Sequence, residues 1–133
     1  MTELPAGLVT LLERPSPCLL ATVNRDGSPH LTQTWVDTDG VHVLVNTVKG
    51  HQKLRNIERD PRVAVSVLDP DDPASYWSLR GTVVEAGSEG ADEHIERLAR
   101  RYTGGPYRPY RDGPQVRVLL RIRVDRVIHR PWH

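Results

Sequence analysis

The sequence predicts a mainly β protein, a small barrel of six antiparallel strands with two or three short helices attached. Three observations point there. β-Prone runs recur along the 133 residues, separated by Asp-Gly and Asp-Pro turn signals. The helical stretches are appended rather than alternating with strands, which disfavours a parallel sheet. No Gly-rich fingerprint of the dinucleotide or phosphate-loop kind is present. The length suits one domain, residues 1–133, with an aliphatic core, since the chain has no Phe and only 5% aromatic residues.

Residues 3–14 place Leu4, Leu8, Leu11 and Leu12 at helical spacing, and Pro15 and Pro17 stop the helix. The runs 18–24 and 30–36 flank Arg25-Asp26-Gly27-Ser28 as a hairpin. Thr38-Asp39-Gly40 then turns the chain into a strand over 41–46, so the three strands are expected to form a meander. Gly50 to Glu58 is a short helix with Leu54 and Ile57 on one face, ended before Pro61. Strands follow at 62–69 and 75–86, joined by an acidic Asp-Pro loop; Gly81 inside the second marks a bulge. Residues 89–102 form an amphipathic helix with acids early and arginines late, matching the helix dipole. A Pro/Gly-rich loop, 103–115, leads to a last alternating strand, 116–130.

Composition narrows the function classes. A net charge of +1 gives no global field for nucleic acid. The C-terminal arginines raise that alternative, but Arg117, Arg121 and Arg123 alternate with apolar residues as the outer face of a strand would. A single cysteine, Cys18, excludes an internal disulfide, fits a reducing compartment, and reads as a small core residue. The six histidines show no paired metal spacing, so no metal is expected. Apolar runs are too short to span a bilayer and no signal peptide is visible, so the expected location is the cytoplasm.

The chemistry concentrates after the third strand. NTVKGHQKLRN, residues 46–56, carries Lys49 and Lys53, the only lysines among 18 basic residues. A helix N-terminus preceded by hydroxyl and amide side chains suits an anion. Asn46 and Thr47 precede it, the lysines are four apart and can share a face, and Arg55 and Asn56 add donors. A solvated basic helix explains the same residues equally well. In strand 30–36, Thr32, Thr34 and Val36 alternate with Leu31, Gln33 and Trp35; a half-exposed strand accounts for this, and so does a ligand wall. Tyr76 and Trp77 point to opposite faces of their strand, leaving one free for stacking or an interface. No Ser-His-Asp or paired-carboxylate set stands out, so no catalytic residue is assigned.

LATVNRDGSPHLTQTW, VNTVKGHQKLRNIERDPRVAVSV and SYWSLRGTVVE together resemble the flavin-binding split β-barrel proteins related to pyridoxamine 5′-phosphate oxidase. The middle stretch is similar to the branch that uses the deazaflavin coenzyme F420. The resemblance covers about residues 8–130. It implies a homodimer with two cofactor sites at the interface and hydride transfer to an unsaturated small molecule. It also implies that Lys53 is the main phosphate contact, with Asn46, Thr47, Lys49, Arg55 and Asn56 around it. Thr32, Gln33 and Thr34 would lie along the ring, and Tyr76 and Trp77 would line the pocket from the partner subunit. The alternatives are an FMN-binding oxidase or reductase of the same fold, a non-catalytic flavin or heme carrier or sensor, and a nucleic-acid-binding barrel.

Overall fold

The computed structural model describes residues 3–109 and 113–129. Seven strands and three helices occur among them: α1 (Ala6–Leu12), β1 (Cys18–Val23), β2 (Pro29–Thr34), β3 (Val36–Thr38), β4 (Val43–Val48), α2 (Gln52–Arg59), β5 (Arg62–Asp69), β6 (Asp72–Gly87), α3 (Ala91–Thr103) and β7 (Arg117–His129). One sheet holds all seven strands in the order β2-β1-β5-β6-β7-β4-β3. Every pairing is antiparallel.

That order forces curvature. β2 and β3 are the two edges of the sheet, yet only Trp35 separates them in the chain. Two Cα steps span at most about 7 Å, so the edges must approach each other there. The sheet therefore curls into a barrel that is split between β2 and β3.

Three expectations are corrected. The strand count is seven rather than six, because the run 30–36 breaks at Trp35 as the chain crosses from one sheet edge to the other. No three-strand meander forms: β4 pairs with β3 and β7, not with β2. The strand expected over 41–46 begins only at Val43. Asp39 is the reason, since its Oδ1 accepts the backbone N–H of Val41 and His42 at 2.9 and 2.7 Å and holds both in the turn. The bulge at Gly81 is present as a register shift, and a Cβ there would sit 2.6 Å from the Arg123 carbonyl oxygen.

The core fills the curl. Leu20, Val36, Val43, Val45, Val67, Leu79, Leu120 and Ile122 are fully or almost fully buried, and α1 closes the barrel with Leu8, Leu11 and Leu12, joined by Leu4 just before it. Cys18 lies in this core, its thiol pushed up to about 12 by burial despite the Lys53 charge, so it is inert packing. No helix among the described residues is long and apolar enough to cross a membrane.

Candidate functional site

A cavity of about 910 Å³ opens where the sheet is split. β2 supplies one wall through His30, Thr32, Gln33 and Thr34, continued by Trp35. The end of β4 supplies Asn46 and Thr47, the turn into α2 supplies Gly50 and His51, and the first residues of α2 supply Gln52 and Lys53. α3 closes the far side with Ile95, Leu98 and Tyr102, beside Tyr107, Arg117, Pro15 and Pro17.

Local sequence explains the placement of Lys53. Lys49 donates its backbone N–H to Val116 at 2.9 Å, which keeps the chain on β7 to the end of β4. Gly50 then turns it with φ of 100°, a conformation costly for any residue with a Cβ. Leu54 and Ile57 anchor α2 in the core, which leaves Gln52 and Lys53 at the cavity. The same turn removes Lys49 from the helix. It is exposed and does not line the cavity, so the helical i, i+4 spacing read from the sequence does not apply to this pair.

Lys53 is half-buried, and no described residue offers its ammonium a hydrogen-bond acceptor or a counter-ion. Burial holds it below its ordinary pKa, against an opposing effect of Cys18 and with a smaller push in the same direction from the Arg117 guanidinium. Three buried polar atoms of lining residues, two on β2 and one on β4, have no partner among the described residues: His30 Nδ1, Thr32 Oγ1 and Thr47 Oγ1. A buried polar group left unmade costs about 1–3 kcal/mol, and the residues that carry these three all line the cavity. No carboxylate is among the described lining residues.

Of the residues singled out from the sequence, the cavity brings together Thr32, Gln33, Thr34, Asn46, Thr47 and Lys53. Asn56 is fully buried and occupied: its Nδ2 donates to Thr22 Oγ1 at 3.0 Å and Asn24 Oδ1 at 2.9 Å, and its Oδ1 accepts from Gln52. Arg55 is exposed and donates to Gln52 Oε1 at 3.0 Å, one side chain back from the cavity. Tyr76 and Trp77 lie on β6 opposite Leu68 and Val67, away from this chain's own cavity, with Trp77 packed on the core.

Sequence reasoning missed the α3 side. Arg117 is buried, not on an outer face: its Nε donates to Asn46 Oδ1 at 2.8 Å and its Nη1 to the Tyr107 hydroxyl at 3.0 Å, and the guanidinium carbon lies 5.1 Å from that ring's centroid. Arg117 follows the same alternation as Arg121 and Arg123, and it is Asn46 and Tyr107 that cover it, so its neighbours in sequence carry no signal of this. Trp35 stacks on Tyr102 with centroids 5.3 Å apart. The Tyr102 hydroxyl accepts from the Val36 N–H and donates to the Ser16 carbonyl; burial pushes it up to about 12, so it serves the wall rather than proton transfer.

The family model described as pyridoxamine 5′-phosphate oxidase matches residues 4–130. The chain belongs to this family. Among solved structures it is similar to a protein titled F420 reductase, at 34% identity and a TM-score of 0.81, with 94% of this chain and 98% of that one covered. It is also similar to a conserved hypothetical protein from Mycobacterium tuberculosis, at 28% identity and a TM-score of 0.69, covering 96% and 84%. HupZ from Group A Streptococcus shares the fold at 22% identity and a TM-score of 0.66, covering 93% and 91%. The curled sheet split between β2 and β3 is thus the family's fold.

Proposed function

We propose that this member of the pyridoxamine 5′-phosphate oxidase family is an oxidoreductase that binds the deazaflavin coenzyme F420 in the split-barrel cavity. The observation that carries the reading is the half-buried Lys53 ammonium, without a described counter-ion, among three buried polar atoms that lack protein partners. A phosphate or carboxylate beside Lys53 would satisfy it. The similarity to an F420 reductase favours the deazaflavin over other anions.

The residues present fit such a group. Lys53 and the positive N-terminal end of α2 would hold its anionic part. Thr32, Gln33 and Thr34 would run along the ring, with the hydroxyls of Thr32 and Thr47 and Nδ1 of His30 gaining partners. Trp35, Tyr102, Ile95 and Leu98 exclude water from the other side and suit an unsaturated, apolar substrate. When bound, the cofactor supplies hydride transfer, which asks the protein for orientation and dryness rather than a nucleophile. Lys49 and Arg55, exposed near the mouth of the turn, would meet only an extended anionic tail. We further propose a homodimer in which Tyr76 and Trp77 of β6 complete the cavity of the neighbouring copy.

FMN is the second reading, favoured by the family model and by the fact that one phosphate suffices for Lys53. Fluorescence titration with F420 and, separately, FMN decides between them. Micromolar or tighter F420 binding with weak FMN binding is expected. The reverse preference would move the protein to the FMN branch, and binding of neither would end the cofactor reading.

A further inference from the structure

Behind the cavity wall a line of buried polar groups runs from α3 to Arg117, and each link has a defined donor and acceptor. The Asn46 amide is the pivot. Its Nδ2 lies 2.8 Å from the Ala91 carbonyl oxygen, which can only accept, and its Oδ1 lies 2.8 Å from Arg117 Nε, which can only donate. The two partners fix which way the amide faces. Its second N–H is then aimed at His94 Nδ1, 3.1 Å away, so that nitrogen must accept. The proton of the ring therefore sits on Nε2, which donates to Asp37 Oδ2 at 3.1 Å. Asp37 is fixed in turn by Arg97 at 2.8 Å and Arg101 at 3.0 Å. Asp37, His94 and Asn46 are buried, so nothing from solvent competes for these bonds.

We propose that His94 is a positioning residue for Arg117: by accepting from Asn46 it holds the amide oxygen toward Arg117 Nε and so presents the guanidinium to an anionic group in the cavity. The inference rests on the cofactor reading for the identity of that anion, but not for the hydrogen-bond line itself. Without the His94 acceptor, only the Ala91 carbonyl holds an Asn46 N–H on that side, and the amide turns more easily. A turned amide would set an N–H against Arg117 Nε, donor against donor, and leave the guanidinium held on this side by Tyr107 rather than by Asn46.

Proton–nitrogen correlation NMR on the full-length, isotopically labelled protein tests this. In the wild type, His94 is expected as the Nε2–H tautomer at neutral pH; a protonated Nδ1 would overturn the proposal without any variant having to fold. The second measurement is hydrogen exchange at the Arg117 Nε–H. His94→Gln should accelerate it about 10-fold, the scale of one lost hydrogen bond to a charged group. Leu8→Ala, a core variant at the barrel end closed by α1, controls for general loosening and should leave that exchange within about 3-fold of wild type. Equal acceleration in both variants would make His94 merely structural and sink the idea. Affinity for whichever of F420 and FMN the wild type binds should fall about 10-fold in His94→Gln and hold in Leu8→Ala. If the wild type binds neither cofactor while the exchange contrast stands, the cofactor reading falls and the positioning role survives.

Discussion

Two polar clusters flank α2, and they differ in one respect. On the β1 side, Asn56 donates to Thr22 and Asn24 and accepts from Gln52, so no polar atom of its amide is left over. On the cavity side, Thr32, Thr47 and His30 each bury a polar atom with no protein partner, beside a lysine with no described counter-ion. The residue types are alike: amides, hydroxyls and a basic side chain. What separates a structural cluster from a binding one is satisfaction, not composition. The first should cost stability when cut, the second should cost affinity and little else.

The sharpest way to break the comparison is Asn56→Ala. It leaves the buried Thr22 hydroxyl without its Asn56 donor and empties a fully buried position, while Asn24 and the exposed Gln52 can turn to water, and we expect a loss of about 1–3 kcal/mol in unfolding free energy. Urea unfolding measures it as a lower midpoint at unchanged slope. A variant of wild-type stability that binds cofactor poorly would show that the two clusters had been assigned the wrong way round.

Lys53→Met should do the opposite. Cofactor affinity is expected to fall by about 1.5–3 kcal/mol, the range for a charge-assisted hydrogen bond, with stability at neutral pH held or raised. The pH dependence supplies an internal check. In the folded chain the ammonium titrates below its ordinary 10.5, because burial disfavours the charge. Below the lowered value both states carry the proton and the burial penalty is present in full. As pH rises from the lowered value to 10.5, the unfolded state binds more protons than the folded one, so stability rises across that window. Melting curves should show this rise in the wild type and lose it in Lys53→Met. Asp37 acts with the other sign: burial raises its carboxyl, but the hydrogen bonds from His94, Arg97 and the Thr38 backbone, with the Arg101 charge, hold it well below the carboxylate range. Its contribution is complete above 3.8 and is lost as pH falls toward its own lowered value, far from the lysine window.

A smaller effect sharpens the same contrast on β2. Thr32→Val keeps the shape of the side chain and removes a buried hydroxyl that the protein does not pair. The melting temperature should stay level or rise, while affinity falls by about 1 kcal/mol. A drop in stability would mean that the hydroxyl does structural work.

Much of this was legible locally. α1, β1, β5, β6 and α3 follow from apolar spacing, and Gly81 from its place inside a strand, because each depends on residues a few positions apart. The break at Trp35 was not legible: residues 30–36 alternate without interruption, and only the closure of the sheet makes β2 and β3 opposite edges. Arg117 was misread for a related reason, since burial at the first residue of β7 depends on Asn46 and Tyr107, far away in sequence. Asn56 shows the limit most plainly. An amide beside two lysines can serve a ligand or a neighbouring strand, and only the position of Thr22 and Asn24 decides it.

The smallest expected effect concerns Lys49, and it tests where the anionic end of the cofactor lies. Lys49 has the charge of Lys53 and stands four residues before it, which on a continuous helix would stack the two. Gly50 interrupts that geometry, and Lys49 is left on the exposed turn, outside the cavity lining. A charge facing water interacts with a ligand through high dielectric and is screened over about 8 Å at physiological salt. Lys49→Ala should therefore change affinity less than about two-fold under those conditions, with a larger effect only at low ionic strength. The titration used for Lys53→Met measures it directly. A loss as large as that of Lys53 would place the anionic group over the turn rather than inside the split, and the three unpaired polar atoms would then need a different occupant.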